Sequence, residues 1–342
     1  MPAPIAERLT AQALSGAPLK RPVDVAERLL AVQGQDPRGA RLAVRARTTE
    51  LSAADVDREL TEERSLLITW LNRGTLHLVR SEDYPLLQAL TTPPLLSQCF
   101  RRLRREGVSE AGAERALATI ERALAGEGPL SGKELKARLE AADLRSEAEA
   151  FIHLMFFAAV RGIVVRGPMQ GKQHAYALVR DWLGPRKPID RDRALAELAR
   201  RYLVGHGPAD DRDLARWAGL PLRDSRAGLA AIASELVERE DGLVDLARRP
   251  PAEPLPPPRL LGAFDPLLLG WVSREEVVGP HKLLVTINGI FRPFALVGGR
   301  AVATWGLAGG KVTIKHLGKV TKKAAAALEV DARAVGEFLA GD

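Results

Sequence analysis

Apolar positions in the middle of the chain fall first at helical and then at alternating spacings. Leu135 and Leu139 lie on one face of a helix expected over 132–141. Phe151, Ile152, Met155, Phe156 and Ala159, three and four residues apart, predict a second helix over 147–160. Ile163-Val164-Val165-Arg166 reads as a strand, 167–171 as a Gly/Pro turn and 174–179 as the returning strand. Helix, helix, β-hairpin is the layout of a winged helix.

The same order is expected twice more. Downstream, 211–217 reads as a short helix stopped by Gly219, 223–238 as a longer one and 243–246 as a short wing strand. Upstream, a helix over 23–32 precedes one over 53–60, followed by 65–70, a turn at 72–74, and 75–79. The helix starts resemble one another. Ser52 stands three residues before Asp55 and Ser131 three before Glu134, the capping-box spacing, and Asp210 is a further capping candidate. These starts recur at an interval of roughly 78 residues. The stretch 248–258 holds six prolines, which excludes a helix or a central strand and marks a boundary. Beyond it, short strands are expected at 282–287, 291–297, 301–305 and 312–317, then a helix over 322–340. The expected fold is mainly α with β. Three tandem winged-helix modules (1–100, 101–190, 191–250) would precede a C-terminal small β-barrel domain (251–342).

Composition narrows the function. The 342 residues are 46% hydrophobic and 27% charged, ordinary for a globular protein of two or three domains. No apolar run reaches the roughly 20 residues of a membrane helix, and the first ten residues do not read as a signal peptide. One cysteine, Cys99, excludes an internal disulfide framework and a multi-Cys zinc site, and the six histidines do not cluster at ligand spacing. No cofactor or metal is expected, and the chain reads as cytoplasmic, nucleoid-associated when bound to DNA.

The net charge of +7 favours an anionic partner, with nucleic acid the commonest. Basic residues gather where winged helices meet duplex DNA. Arg101, Arg102, Arg104 and Arg105 form one cluster; Arg166 and Lys172 border the second hairpin; Lys311, Lys315 and Lys319 lie in an acid-free stretch. Arg38 and Arg73 are further candidates for phosphate contact. No array of Arg, Asn or Gln stands out as a base-reading code.

The segment Gln33-Gly34-Gln35-Asp36-Pro37 follows an amphipathic helix carrying Val23, Ala26, Leu29 and Leu30. Gly34 and then Asp36-Pro37 should end that helix, so the two amides can converge on one side of its terminus. By spacing alone, such glutamines are usually hydrogen-bonded surface residues. The segment resembles the Q-Φ-Q signature of the AlkZ/YcaQ-like winged-helix DNA glycosylase family, in which Φ is aliphatic; here Gly34 stands at Φ. The runs 40–47, 70–78, 207–209, 217–220, 263–271 and 288–293 are similar to the same family and follow in order along nearly the whole chain.

The resemblance implies three winged-helix modules and a β-barrel around duplex DNA, with Gln33 and Gln35 matching the catalytic pair. The implied reaction is monofunctional hydrolysis of the N-glycosidic bond of bulky N7-alkylated purines, interstrand crosslinks or natural-product adducts, leaving an abasic site. Neutral amides suit it. N7 alkylation makes the purine a good leaving group, and an amide oxygen can hold the attacking water or face the developing sugar cation. Gln35 is assigned the water and Gln33 the cation, a division that the reverse would satisfy equally. Asn72 and His77 are second choices as channel-lining residues, and Asp265 reads first as a structural turn carboxylate. The expected partner is double-stranded DNA bound by a monomer, with no membrane. Two alternatives stay open: a non-catalytic winged-helix DNA-binding protein or regulator, and a self-resistance protein that sequesters an adduct.

Overall fold

The computed structural model describes residues 4–171, 173–185, 189–286 and 288–340. Lys172 and Ile287 lie outside the described residues. The chain forms two compact units, one of residues 57–191 and the other joining 1–56 to 192–342.

In the unit of residues 57–191, four antiparallel strands lie in the order Leu76–Arg80, Leu66–Trp70, Val164–Gln170, Gln173–Leu178. The helix Ala148–Val160 is apolar nearly all round and buries Phe156 and Phe157, as such a pattern requires. Before it, Ser131 caps Gly132–Ala141: its Oγ accepts from Glu134 N at 3.2 Å, and its own N–H donates back to the Glu134 carboxylate at 2.8 Å. The expected turn at 167–171 is displaced. Gly167 and Pro168 lie inside Val164–Gln170 at a register shift between Arg166 and Met169, and the chain reverses only after Gln170. A bulge admits a proline that a regular ladder excludes.

In the other unit, Arg191–His206 is followed by Asp211–Ala218, Leu222–Ala231 and a hairpin of Leu236–Glu238 with Val244–Leu246. Asp210 and Asp213 form a reciprocal capping box, and Gly219 ends the helix in the left-handed region at φ 74°. The helix expected over 223–238 stops at Ala231, because Leu236–Glu238 is taken up as a strand. Two stretches share one device. Leu130, just before Ser131, bridges Tyr176 in the second strand of its hairpin, and Ala209, just before Asp210, bridges Val244 in the same way.

Upstream, the helix Pro22–Leu29 ends earlier than expected, at Leu30 with φ 62°, and the two-residue strand Val32–Gln33 follows. Asp36 and Pro37 do not stop a helix; they start Pro37–Arg45 as N-cap and first helical residue. The cap that corresponds in chain order to Ser131 and Asp210 is therefore Asp36 rather than Ser52. The even spacing of starts fails because Tyr84–Thr91 and Leu96–Arg105 intervene before the second set.

The strands Arg259–Leu261, Phe294–Val297, Arg300–Ala308 and Lys311–His316 form an antiparallel sheet in that order. Among the described residues this sheet is open, with its first and last strands as edges, where a small β-barrel domain was expected. The segment expected as a strand at 282–287 is a 3-10 turn at Lys282–Leu284. The helix Lys322–Leu339 covers the Arg259–Leu261 edge, where Asp331 accepts the Leu260 N–H at 2.6 Å and pairs with Arg45. The proline-rich stretch is irregular, as expected, and is tied down by Glu253 N donating to Thr10 Oγ1 at 2.9 Å.

Candidate active site and nucleic-acid interface

The Gln33–Gln35 segment is held rigidly from both sides. On its N-terminal side, Leu30 is fully buried at φ 62°, ψ −39°, and Ala31 N donates to Leu29 O at 2.7 Å. A tight turn with positive φ at a branched residue costs of order 1–3 kcal/mol and persists only where the surroundings fix it. On its C-terminal side, Asp36 Oδ1 accepts the Arg38 and Gly39 N–H groups at 2.9 and 3.3 Å. Between these anchors Gln33 is buried at 7% exposure, Gly34 is buried and Gln35 is exposed.

The helix that follows is locked to the C-terminal sheet. A Cβ on Gly39 would lie 2.3 Å from Ala263 O, and one on Gly262 would lie 3.0 Å from Gly39 Cα, so backbone meets backbone there. Arg47, just beyond the helix, forms a fully buried two-point ion pair with Asp265 at 3.0 and 3.0 Å. Its remaining N–H groups donate to Gln12 and to Ala43 O, and Asp265 Oδ1 also accepts Leu267 N. Asp265 thus acts as the turn carboxylate it resembled. A cleft of about 60 Å³ collects Asp36, Arg38, Leu42, Trp305 and Gly306. Arg300–Ala308 therefore borders the glutamine segment and then runs into the hairpin that carries Lys311 opposite Ala308 and Lys315 opposite Thr304. Lys311 and Lys315 share a strand face, and both are exposed, as is Lys319.

In the other compact unit, Asn72 and His77 share the hairpin of Leu66–Trp70 and Leu76–Arg80. Asn72 is fully buried, and among the described residues neither its Oδ1 nor its Nδ2 has a hydrogen-bond partner. Thr69 Oγ1, on the residue paired with His77, is also buried without one. Each such group costs about 1–3 kcal/mol unless water or a ligand meets it. Sequence reasoning passed over Thr69, whose only signal was its place opposite His77 in the hairpin. Burial, with the nearby Arg73 charge adding to it, pushes the His77 imidazole down to about 3. Its Nδ1–H donates to Thr75 O at 2.9 Å, which leaves Nε2 as an acceptor on a neutral ring. Arg73 itself has φ 58° at the hairpin turn.

The structure gathers two of the predicted basic residues around aromatic rings. Arg102 lies 5.4 Å from the Phe156 ring and Arg166 lies 5.0 Å from Trp70 and 5.8 Å from Tyr176, while Trp70 meets Phe156 edge-on at 6.0 Å. Such stacking fixes a guanidinium without neutralising it. Arg101, Arg104 and Arg105 are exposed on Leu96–Arg105, and Arg104 is paired with Glu110. Arg38 is exposed at the start of its helix. Cys99 is buried, and burial pushes its thiol up to about 12, so it is not a nucleophile.

Three comparisons with known proteins bear on this geometry. The sequence model of the family described as DNA glycosylase AlkZ-like matches residues 26–338. The chain is 29% identical over 307 residues to an interstrand DNA cross-link repair glycosylase of Streptomyces sahachiroi, covering 82% of this chain and 81% of that protein. The fold is similar to the solved structure of the Streptomyces sahachiroi DNA glycosylase AlkZ, with a TM-score of 0.79 and 26% identity over 98% of this chain and 95% of that one.

Proposed function

This chain belongs to the DNA glycosylase AlkZ-like family, and from that premise we propose that it hydrolyses the N-glycosidic bond of bulky N7-alkylated purines in duplex DNA. Interstrand crosslinks fall within the same chemistry, which is supported by the description of the Streptomyces relative as a cross-link repair glycosylase. The product is an abasic site, serving base excision repair or self-resistance to a DNA-damaging natural product. No cofactor enters the reaction.

The observation that carries the reading is the pairing of a buried Gln33 with an exposed Gln35 in a segment fixed at Leu30 and at the Asp36 cap. Asp36 Oδ1 accepts backbone N–H groups as a helix cap, and the two side chains that flank Gly34 are neutral amides. A cationic N7-alkylpurine departs without an acid: the C1′–N9 bond breaks, its electron pair passes to the purine, and positive charge spreads over the sugar. Gln35 holds the water whose oxygen adds to C1′ and whose proton passes to solvent; Gln33 sets its amide oxygen toward the sugar cation. Asn72 and neutral His77 are second choices for further polar contacts to the DNA.

Binding rests on Arg38, Arg73, Arg101, Arg102, Arg104, Arg105, Arg166, Lys172, Lys311, Lys315 and Lys319 meeting backbone phosphates of a single duplex, bound by a monomer. Three winged-helix modules over 1–100, 101–190 and 191–250, with the C-terminal domain from 251 to 342, would present them. The repeated order of helices and hairpin, with a bridge just before the capped helix in the second and third stretches, supports that division. The test is base release from duplexes carrying N7-methylguanine or a bulky N7-alkylguanine. An alkali-labile strand with either lesion is the expected result. Intact strands with both, despite duplex binding, would favour a non-catalytic DNA-binding protein.

A further inference from the structure

A cavity of about 590 Å³ opens beside the helix Pro22–Leu29, with Arg28, Arg200, Arg248 and Arg249 on its walls and Glu235 among them. Two of these arginines are spent on the fold. Arg200 binds Glu235 at 2.8 and 2.6 Å and Glu197 at 2.5 Å. Arg249 Nε sits 2.7 Å from both oxygens of Asp245, and its guanidinium donates to the Leu203 and Val204 carbonyls.

Arg28 and Arg248 are different: among the described residues neither forms an ion pair. Arg28 is half-buried, and that burial and the facing charge of Arg249 hold its guanidinium below the ordinary range, with Glu27 pulling the other way. Arg248 is exposed at the rim, directly after the hairpin that ends at Leu246. The wall is also rigid. A Cβ on Gly205 would lie 2.3 Å from Arg28 O, so the end of this helix is pressed against Arg191–His206. Uncompensated guanidinium groups in a concave site focus potential on an anion, and their planar fork fits two phosphate oxygens. The lining includes Val204, Leu246 and Pro250 but no aromatic ring on which a base would stack. Phosphate, not nucleobase, is the chemistry it suits.

We propose that this cavity binds a backbone phosphate of duplex DNA through Arg28 and Arg248, with Arg200 and Arg249 as its fixed walls. The proposal rests on the reading of the chain as a DNA glycosylase and adds an anchor outside the glutamine segment. A free phosphate compound shares the chemistry, and the experiment separates the two sources.

Full-length wild type, Arg28→Ala/Arg248→Ala and the single Arg248→Glu variant would be titrated against an unmodified duplex by fluorescence anisotropy across a sodium chloride series. Base release at subsaturating enzyme, and melting with added inorganic phosphate, would be measured on the same samples. The double variant should bind about tenfold more weakly at low salt, with the slope of log K against log salt reduced by about 1. Its base release at subsaturating enzyme should slow in step with the lost affinity. Arg248→Glu alters only an exposed side chain and should weaken binding as well, which guards against misfolding of the double variant. Unchanged affinity and slope in both variants would overturn the proposal. So would stabilisation of wild type, but not of the double variant, by inorganic phosphate while duplex affinity stays the same, since the ligand would then be a free phosphate compound. If wild type released no base yet lost duplex affinity through these arginines, the phosphate site would stand and the glycosylase reading would fall.

Discussion

Replacing Asp265 with alanine should cost more stability than its distance in sequence from the glutamine segment suggests. Arg47 and Asp265 are both fully buried, and the carboxylate supplies two acceptors to the guanidinium and one to Leu267 N. Asp265→Ala would leave a buried cation with only Gln12 and the Ala43 carbonyl as partners. Removing one member of such a pair costs about 3–5 kcal/mol. At roughly 2–4 °C per kcal/mol for a unit of this size, the melting temperature should fall by about 10 °C. Asp265→Asn keeps acceptor oxygen without charge and should lose less. The double variant Arg47→Met/Asp265→Leu leaves no orphaned charge and should recover part of the loss. Thermal unfolding by circular dichroism reads all three. A melting point for Asp265→Ala within about 2 °C of wild type, or a double variant no more stable than Asp265→Ala, would refute the reasoning.

Other consequences are simpler to read. His77 is held neutral when folded, so its contribution to stability is full above the unfolded pKa of about 6.5 and is lost as pH falls toward 3. Denaturant titration should therefore show wild type losing about 2 kcal/mol between pH 7 and 5 relative to His77→Gln, and parallel pH profiles would contradict this. Gly39→Ala would drive a methyl group into Ala263 O, so a loss of about 1–3 kcal/mol by chemical unfolding is expected, together with slower base release. Lys311→Ala/Lys315→Ala should lower the salt slope of duplex binding by about 2 and leave the melting temperature unchanged, since both side chains are exposed.

Local signals in the sequence were read correctly where one mechanism acted alone. Ser131 with Glu134 and Asp210 cap their helices, Gly219 ends one, and Met155, Phe156 and Ala159 of the predicted apolar face are buried, although Ile152 is exposed. Errors arose where one pattern serves two structures. Leu236 and Val237 continue a helical run equally well, but pairing with Val244–Leu246 makes them a strand. Gly167-Pro168 has turn composition yet forms a bulge within a strand. Asp36-Pro37 was read as a stop, although Asp before Pro is also the start of a helix. The glutamine pair was visible as a motif, but its rigidity comes from Leu30, from Gly39 against Ala263 and from Arg47 with Asp265. The last two contacts join residues more than 200 positions apart in the chain, beyond any local pattern. The unpaired buried atoms of Asn72 and Thr69 are likewise visible only in three dimensions.

The most direct test of the account is single-turnover base release from an N7-alkylguanine duplex by wild type and Gln35→Ala, with duplex affinity measured on the same samples. Gln35 is exposed, so its loss should leave folding and binding near wild type while the rate falls by about 10²-fold or more. A Gln35→Ala enzyme that releases base at the wild-type rate would contradict the assignment of the chemistry to this segment.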